Sequence, residues 1–127
     1  MNQIIKHVAS WFEIPVTDMQ RAKDFYHQVF QATFKDEEAN GYQMAIFDAE
    51  PGSVSGMLMF GPCYEPSQTG AVVYLNGGED LSVPLEKAVK HGGSVVVPKT
   101  GIHDGECGYF ALFIDSEGNR VGLYSPA

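Results

Sequence analysis

Two groups of residues in this 127-residue chain carry functional groups that could do chemistry. The first is one carboxylate, Glu13, in the alternating segment ASWFEIPV (9–16). As a strand, that segment puts Phe12, Ile14 and Val16 on one face and Trp11, Glu13 and Pro15 on the other. A carboxylate on the inner face of a sheet must be solvated, paired or protonated. Glu13 could serve there as a general base or anchor a cationic ligand. It could equally form a structural pair, for example with Arg120, or sit at a rim open to water. The second group is the segment KTGIHDGECGY (99–109), with His103, Asp104, Glu106 and Cys107. A Cys/His pair supports nucleophilic chemistry where the thiol pKa is lowered. Here the two are four residues apart in a loop, with no orienting partner or oxyanion donor in evidence, which favours a polar loop over a ligand. Gly101, Gly105 and Gly108 would let such a loop act as a lid. Glu13 and His103 are therefore the catalytic candidates. His7, His27 and His91 read as solvated surface residues, and Cys63 as an incidental thiol.

Composition narrows the partners. Eight Lys and Arg against sixteen Asp and Glu give a net charge of −8, which argues against nucleic-acid binding and against a polybasic membrane surface. No apolar run approaches the ~20 residues of a membrane span. The first residues contain no clean signal-peptide core, because Lys6, His7 and Ser10 interrupt it. Cys63 and Cys107 form neither a CxxC nor a disulfide framework, so a reduced, cytoplasmic setting is expected. At 44% hydrophobic residues, the chain can build a core.

The elements that must position these residues follow from periodicity. After the strand at 9–16, residues 18–31 predict a helix, with Met19, Ala22, Phe25, Tyr26, Val29 and Phe30 at helical spacing. Thr17 or Asp18 can cap it, and Thr17 with Gln20 matches a capping box. Strands are expected at Thr33–Lys35, Tyr42–Asp48 and Val54–Phe60, and the Pro- and Gly-rich stretch 61–70 reads as a connector. The second half repeats this order. It has a strand at Gly70–Asn76, a helix at 80–91 ended by Gly92-Gly93, and strands at Ser94–Val97, Gly108–Ile114 and Arg120–Tyr124, the last two joined by the turn DSEGN (115–119). Each half therefore reads β-α-β-β-β, which implies an α+β fold. One face of each sheet must pack on helices, and the other faces can line a shared cavity.

The stretches FEIPVTDMQRAKDFY (12–26), GGSVVVPKT (92–100) and FALFIDSEGNRVGLYSP (110–126) resemble the vicinal oxygen chelate superfamily. It includes glyoxalase I, bleomycin-resistance proteins and extradiol dioxygenases, and the likeness is greatest to small bacterial glyoxalase-like proteins. The resemblance covers nearly the whole chain. It implies one domain, 1–127, of two βαβββ modules at about 1–62 and 69–127. These form a cup-shaped, eight-stranded mixed sheet with helices on the outer face, often as a homodimer. In the family's metal enzymes, His, Glu or Gln ligands on the first and last strands of each module hold one divalent ion. By register with this chain those positions fall on Trp11, Met57, Val72 and Gly122, none of which suits such an ion. No metal and no other cofactor is therefore expected.

Period-two alternation turns Trp11, Glu13, Met57, Met59, Val72 and Tyr74 toward the cup, with Arg120 and Tyr124 flanking Gly122. His103 lies near the expected mouth. Aromatic and thioether groups with few polar handles suit a planar or partly apolar small molecule. A filled cup would make the same residues plain core. Three functions stay open: a metal-independent small-molecule binding protein, a glyoxalase-like lyase or isomerase using Glu13 and perhaps His103, and a ligand-free dimeric scaffold.

Overall fold

The computed structural model describes residues 4–127. The first module runs β1 (Trp11–Pro15), α1 (Met19–Phe30), β2 (Phe34–Ala39), β3 (Tyr42–Phe47) and β4 (Ser55–Phe60). The second runs β5 (Tyr74–Asn76), α2 (Ser82–Lys90), β6 (Ser94–Gly101), β7 (Tyr109–Ile114) and β8 (Arg120–Ser125). The strands form two four-stranded sheets, ordered β1-β4-β3-β2 and β5-β8-β7-β6. In each sheet the first strand pairs parallel with the last and the remaining pairs are antiparallel. This is the paired βαβββ arrangement that the repeat implied. No described helix is long and apolar enough to cross a membrane.

Several element boundaries differ from those read in the sequence, for local reasons. The short strand expected at Thr33–Lys35 extends through Lys35, Asp36, Glu37 and Glu38, because a two-residue turn at Asn40-Gly41 lets the whole acidic run pair with β3. The strand expected over Gly70–Asn76 is ordered as strand only from Tyr74. β6 continues past Val97 to Gly101, with two register shifts against β7; Pro98 is tolerated because β6 is an edge strand. At the start of α1 the cap is Asp18, which accepts from the Arg21 N–H at 3.1 Å. Gln20 does not complete a capping box; its amide donates to Asp24 one turn on, at 2.9 Å.

The core lies between the sheets' inner faces and the two helices, which also pack against each other. Ala22, Phe25, Tyr26 and Val29 form the buried stripe of α1, and Pro84, Leu85 and Ala88 that of α2. Ile14 and Val16 of the first module and Val121, Leu123 and Phe113 of the second belong to one buried cluster. Phe25 meets Phe113 across the module boundary, with ring centroids 6.2 Å apart.

A polar clamp crosses the same boundary. The β7–β8 turn, DSEGN, presents Asp115, Glu117 and Asn119, all buried, to the first module. Glu117 Oε1 accepts from the backbone N–H groups of Thr17 and Asp18 at 2.9 and 2.8 Å, where α1 begins with unsatisfied donors. The Arg21 Nε donates to Oε2 at 2.6 Å. Asp115 accepts from the Tyr26 hydroxyl at 2.7 Å, and Asn119 donates to the Pro15 carbonyl at 2.7 Å. Gly118, at φ 96°, supplies the left-handed conformation that closes this turn. Burial of the Tyr26 phenol, with the Asp115 carboxylate beside it, holds that hydroxyl protonated well above the ordinary range.

The clamp makes stability depend on pH. Burial pushes the Glu117 carboxyl up, but hydrogen bonds from Arg21, Asp18, Thr17 and Ser116 outweigh it and bring it down to about 2. A carboxyl lowered from 4.5 to about 2 contributes its full stabilisation above pH 4.5 and loses it as the pH falls toward 2. The size is on the order of 3 kcal/mol. Urea unfolding of wild type and Glu117→Gln should therefore differ by about that amount at neutral pH, and the gap should shrink on acidification. A gap that stays constant down to pH 2.5 would refute the clamp's ionic character.

Candidate functional site

The face of each sheet opposite the helices is read directly from strand register. In the first sheet Glu13 stands beside Met57 and Pro15 beside Met59; Met44 and Ile46 of β3 pair with the same two methionines. In the second sheet Tyr74 pairs with Gly122, and Leu112, Phe110 and Ile114 pair with Gly122, Tyr124 and Arg120. The open face is thus thioether and aliphatic on one side, aromatic and aliphatic on the other. It is not filled: Trp11, Tyr74 and Tyr124 keep 47%, 51% and 42% of their surface exposed. Met59 is the exception, buried beneath its neighbours as floor rather than wall.

Three cavities follow this surface. One of about 410 Å³ lies over the second sheet, between Tyr74, Phe110, Tyr124 and Ile102. A second, of about 610 Å³, occupies the seam between the edge strands β1 and β5, where Trp11, Val54, Val72 and Tyr74 line it. A third, of about 160 Å³, is further along the same seam and is lined by Glu13, Pro15, Ser67, Thr69, Val73 and Arg120. Tyr74 belongs to the first and second, and Val73 to the second and third. Most candidates from the sequence are therefore brought to neighbouring walls.

Glu13 is exposed, and its Oε1 accepts from the Tyr64 hydroxyl at 2.7 Å. That bond holds the Tyr64 phenol above its usual range. Glu13 and Arg120 line one cavity without forming an ion pair. His103 is exposed in the β6–β7 loop, at φ 51°, and lines none of the three cavities. The loop turns through hydrogen bonds from the Cys107 N–H to the Ile102 carbonyl and from the Tyr124 hydroxyl to the Cys107 carbonyl. It thereby presents Ile102, rather than His103, to the aromatic wall. No hydrogen bond or shared cavity joins Glu13 to His103 among the described residues.

Ile102 and Phe110 line the cavity over the second sheet, and Tyr64 bonds to Glu13; period-two alternation from the sequence names none of the three. Phe110 had a usable signal. With Ala111 and Phe113 in the core, period two turns Phe110 and Leu112 to the open face. Ile102 and Tyr64 sit in loops, where no period exists.

The positions that would hold a metal can be tested for fit. Trp11, Met57, Val72 and Gly122 bring no carboxylate, imidazole or amide donor, and among the described residues no three His, Cys, Asp or Glu side chains gather around one point. At Gly122 the space itself is taken, because a Cβ there would clash with the Tyr74 ring. The residues present do not fit a chelated divalent ion.

The sequence pattern of the Glyoxalase/Bleomycin resistance protein/Dioxygenase superfamily matches residues 4–123. The chain belongs to this superfamily. It is 34% identical over 123 residues to a glyoxylase-like domain-containing protein of Didymella fabae, covering 90% of each chain. It is 27% identical over 120 residues to CFP32 of Mycobacterium bovis, which carries a provisional glyoxylase name; there it covers 91% of this chain but 44% of the relative. The chain thus spans less than half the length of that relative. Among solved structures it is similar to TnmS3, an antibiotic binding protein from Streptomyces sp. CB03234, with a TM-score of 0.69, 26% identity, and coverage of 99% of this chain and 100% of the other.

The ring over Gly122 yields a direct test. Gly122→Ala should displace Tyr74 and cost about 1–3 kcal/mol, as overpacking does. Combining it with Tyr74→Ala should recover most of that loss in a double-mutant cycle measured by thermal unfolding. Additive costs would show that the two do not contact each other.

Proposed function

We propose that this chain is a small-molecule binding protein that works without a chelated metal and holds a planar, largely apolar ligand against the open sheet faces. The observation that carries the reading is at Gly122: the Tyr74 ring lies against this glycine, at the position where the family resemblance places a metal ligand. A site that gives up a donor and gains a ring loses Lewis-acid chemistry and gains stacking surface. The half-exposed Trp11, Tyr74 and Tyr124, the methionines at β4 and the apolar cavity closed by Ile102 support the same reading. Exposed aromatic surface of this kind marks binding sites more than it serves stability. The likeness to an antibiotic binding protein along the whole chain agrees with it.

The test is a binding measurement. Trp11 is the chain's single tryptophan, so quenching of its fluorescence reports occupancy of the seam. Polycyclic aromatic compounds should quench it saturably and raise the melting temperature, and Tyr74→Ala and Tyr124→Ala should each weaken binding by about tenfold, the loss of one stacking contact. Incubation with Ni²⁺, Zn²⁺, Mn²⁺ or Fe²⁺ followed by desalting should leave no stoichiometric metal. Saturable metal uptake, or no response to any aromatic compound, would remove the proposal.

A further inference from the structure

We infer that Arg120 is the polar anchor of this site and receives a carboxylate, or an equivalent pair of anionic oxygens, carried by the aromatic ligand. The inference rests on the binding reading above and adds the ligand's charge and the place where it is held.

Among the described residues, three ion pairs form: Arg21 with Glu117, Lys23 with Asp36, and Lys99 with Asp80. Arg120 belongs to none. Its backbone N–H donates to the Ser67 carbonyl at 3.1 Å, but its guanidinium makes no hydrogen bond to a described residue. Its Nε is enclosed, and it is the buried side-chain nitrogen or oxygen among the described residues that lacks a partner. Enclosing a charged N–H without an acceptor is costly, so the protein retains a donor that its own fold leaves unused.

The surroundings leave Arg120 as the group with capacity to spare. Half-buried, it lines the 160 Å³ cavity at the seam. The other polar groups there are engaged. Glu13 accepts from Tyr64, Ser67 Oγ bonds to Thr69, and the Asn119 amide donates to Pro15 and Asp115 and accepts from the Ser67 N–H. Pro15 and Val73 supply apolar walls, and Val73 connects this cavity to the larger seam cavity lined by Trp11 and Tyr74. A planar ligand lying on Trp11 or Tyr74 therefore has one end toward the cavity that Arg120 lines. Guanidinium matches a carboxylate in geometry and charge, and the pair is stronger than a neutral hydrogen bond. The nearby Glu13 and the chain's charge of −8 disfavour a bare anion, so affinity requires the apolar body and the carboxylate together.

The experiment compares 2-naphthoate with 2-naphthamide, which share the ring system and differ in charge, by isothermal titration calorimetry. Wild type should bind naphthoate at least about tenfold more tightly, the range of a charge-assisted hydrogen bond. Arg120→Gln should abolish that preference while still binding naphthamide, and Arg120→Lys should retain part of it. The Arg120 Nε–H resonance in ¹⁵N NMR should shift with naphthoate and not with naphthamide. This readout needs no variant that folds. Because the Nε has no acceptor, Arg120→Gln should melt no lower than wild type. Equal affinities for the two probes, or a preference that survives Arg120→Gln, would overturn the anchor while leaving the aromatic site in place. Failure of both probes would overturn the anchor together with the binding reading it rests on.

Discussion

Glu117 is the constraint on which the rest of the molecule depends. A buried carboxylate is costly unless its oxygens are fully engaged, and here the first turn of α1 engages them with two backbone donors and Arg21. The turn that carries Glu117 belongs to the second module, and the helix that satisfies it to the first. Neither can move without exposing an unpaired charge or stripping a helix terminus. Asp115 and Asn119 extend the same logic to Tyr26 and Pro15. Since β1 leads directly into α1 and β8 leads directly out of the turn, one carboxylate fixes β1 relative to β8. The seam cavity, with Glu13 and Pro15 on one side and Arg120 on the other, is a consequence of that placement.

The open sheet face is shaped by packing rather than by hydrogen bonds. On β8, Gly122 on the open face makes room for Tyr74 of the neighbouring strand, just as, on the helix side of the first sheet, Gly56 lies beneath Phe12. Such ring-over-glycine pairs give a broad flat surface at little cost in strand geometry. At Gly122 a side chain would need the room that the Tyr74 ring occupies.

Much of this architecture was legible in the residues. The helical stripe of α1 and the alternation of β1 are strong local signals because each element buries one face, and the repeat of element order was enough to expect two modules. Trp11, Met57, Tyr74 and Tyr124 were assigned to the open face by parity alone, and register places them there. What parity cannot supply is tertiary partnership. DSEGN reads as a turn, and nothing local says that its carboxylates cap a helix 99 or 100 residues away in sequence. For Glu13 the residues leave open a pair such as Arg120 or a rim position in water; it is exposed and accepts from Tyr64, delivered by a proline-rich connector that has no period to read. The same limit explains the β6–β7 loop, where His103 draws attention by its chemistry while Ile102 lines the cavity.

Arg120 shows why fold and site should be read together. A chain that satisfies Glu117, Asp115 and Asn119 so completely, across more than one module, has the means to satisfy an arginine. Glu13 bonds to Tyr64 and not to Arg120, and the chain is rich in carboxylates that could have been placed beside it. The unused guanidinium therefore stands out against a background of satisfied groups, next to rings left half in solvent. Both features oppose stability, and both lie along one seam. A single ligand with an apolar plane and an anionic end would relieve the two at once while leaving the clamp intact.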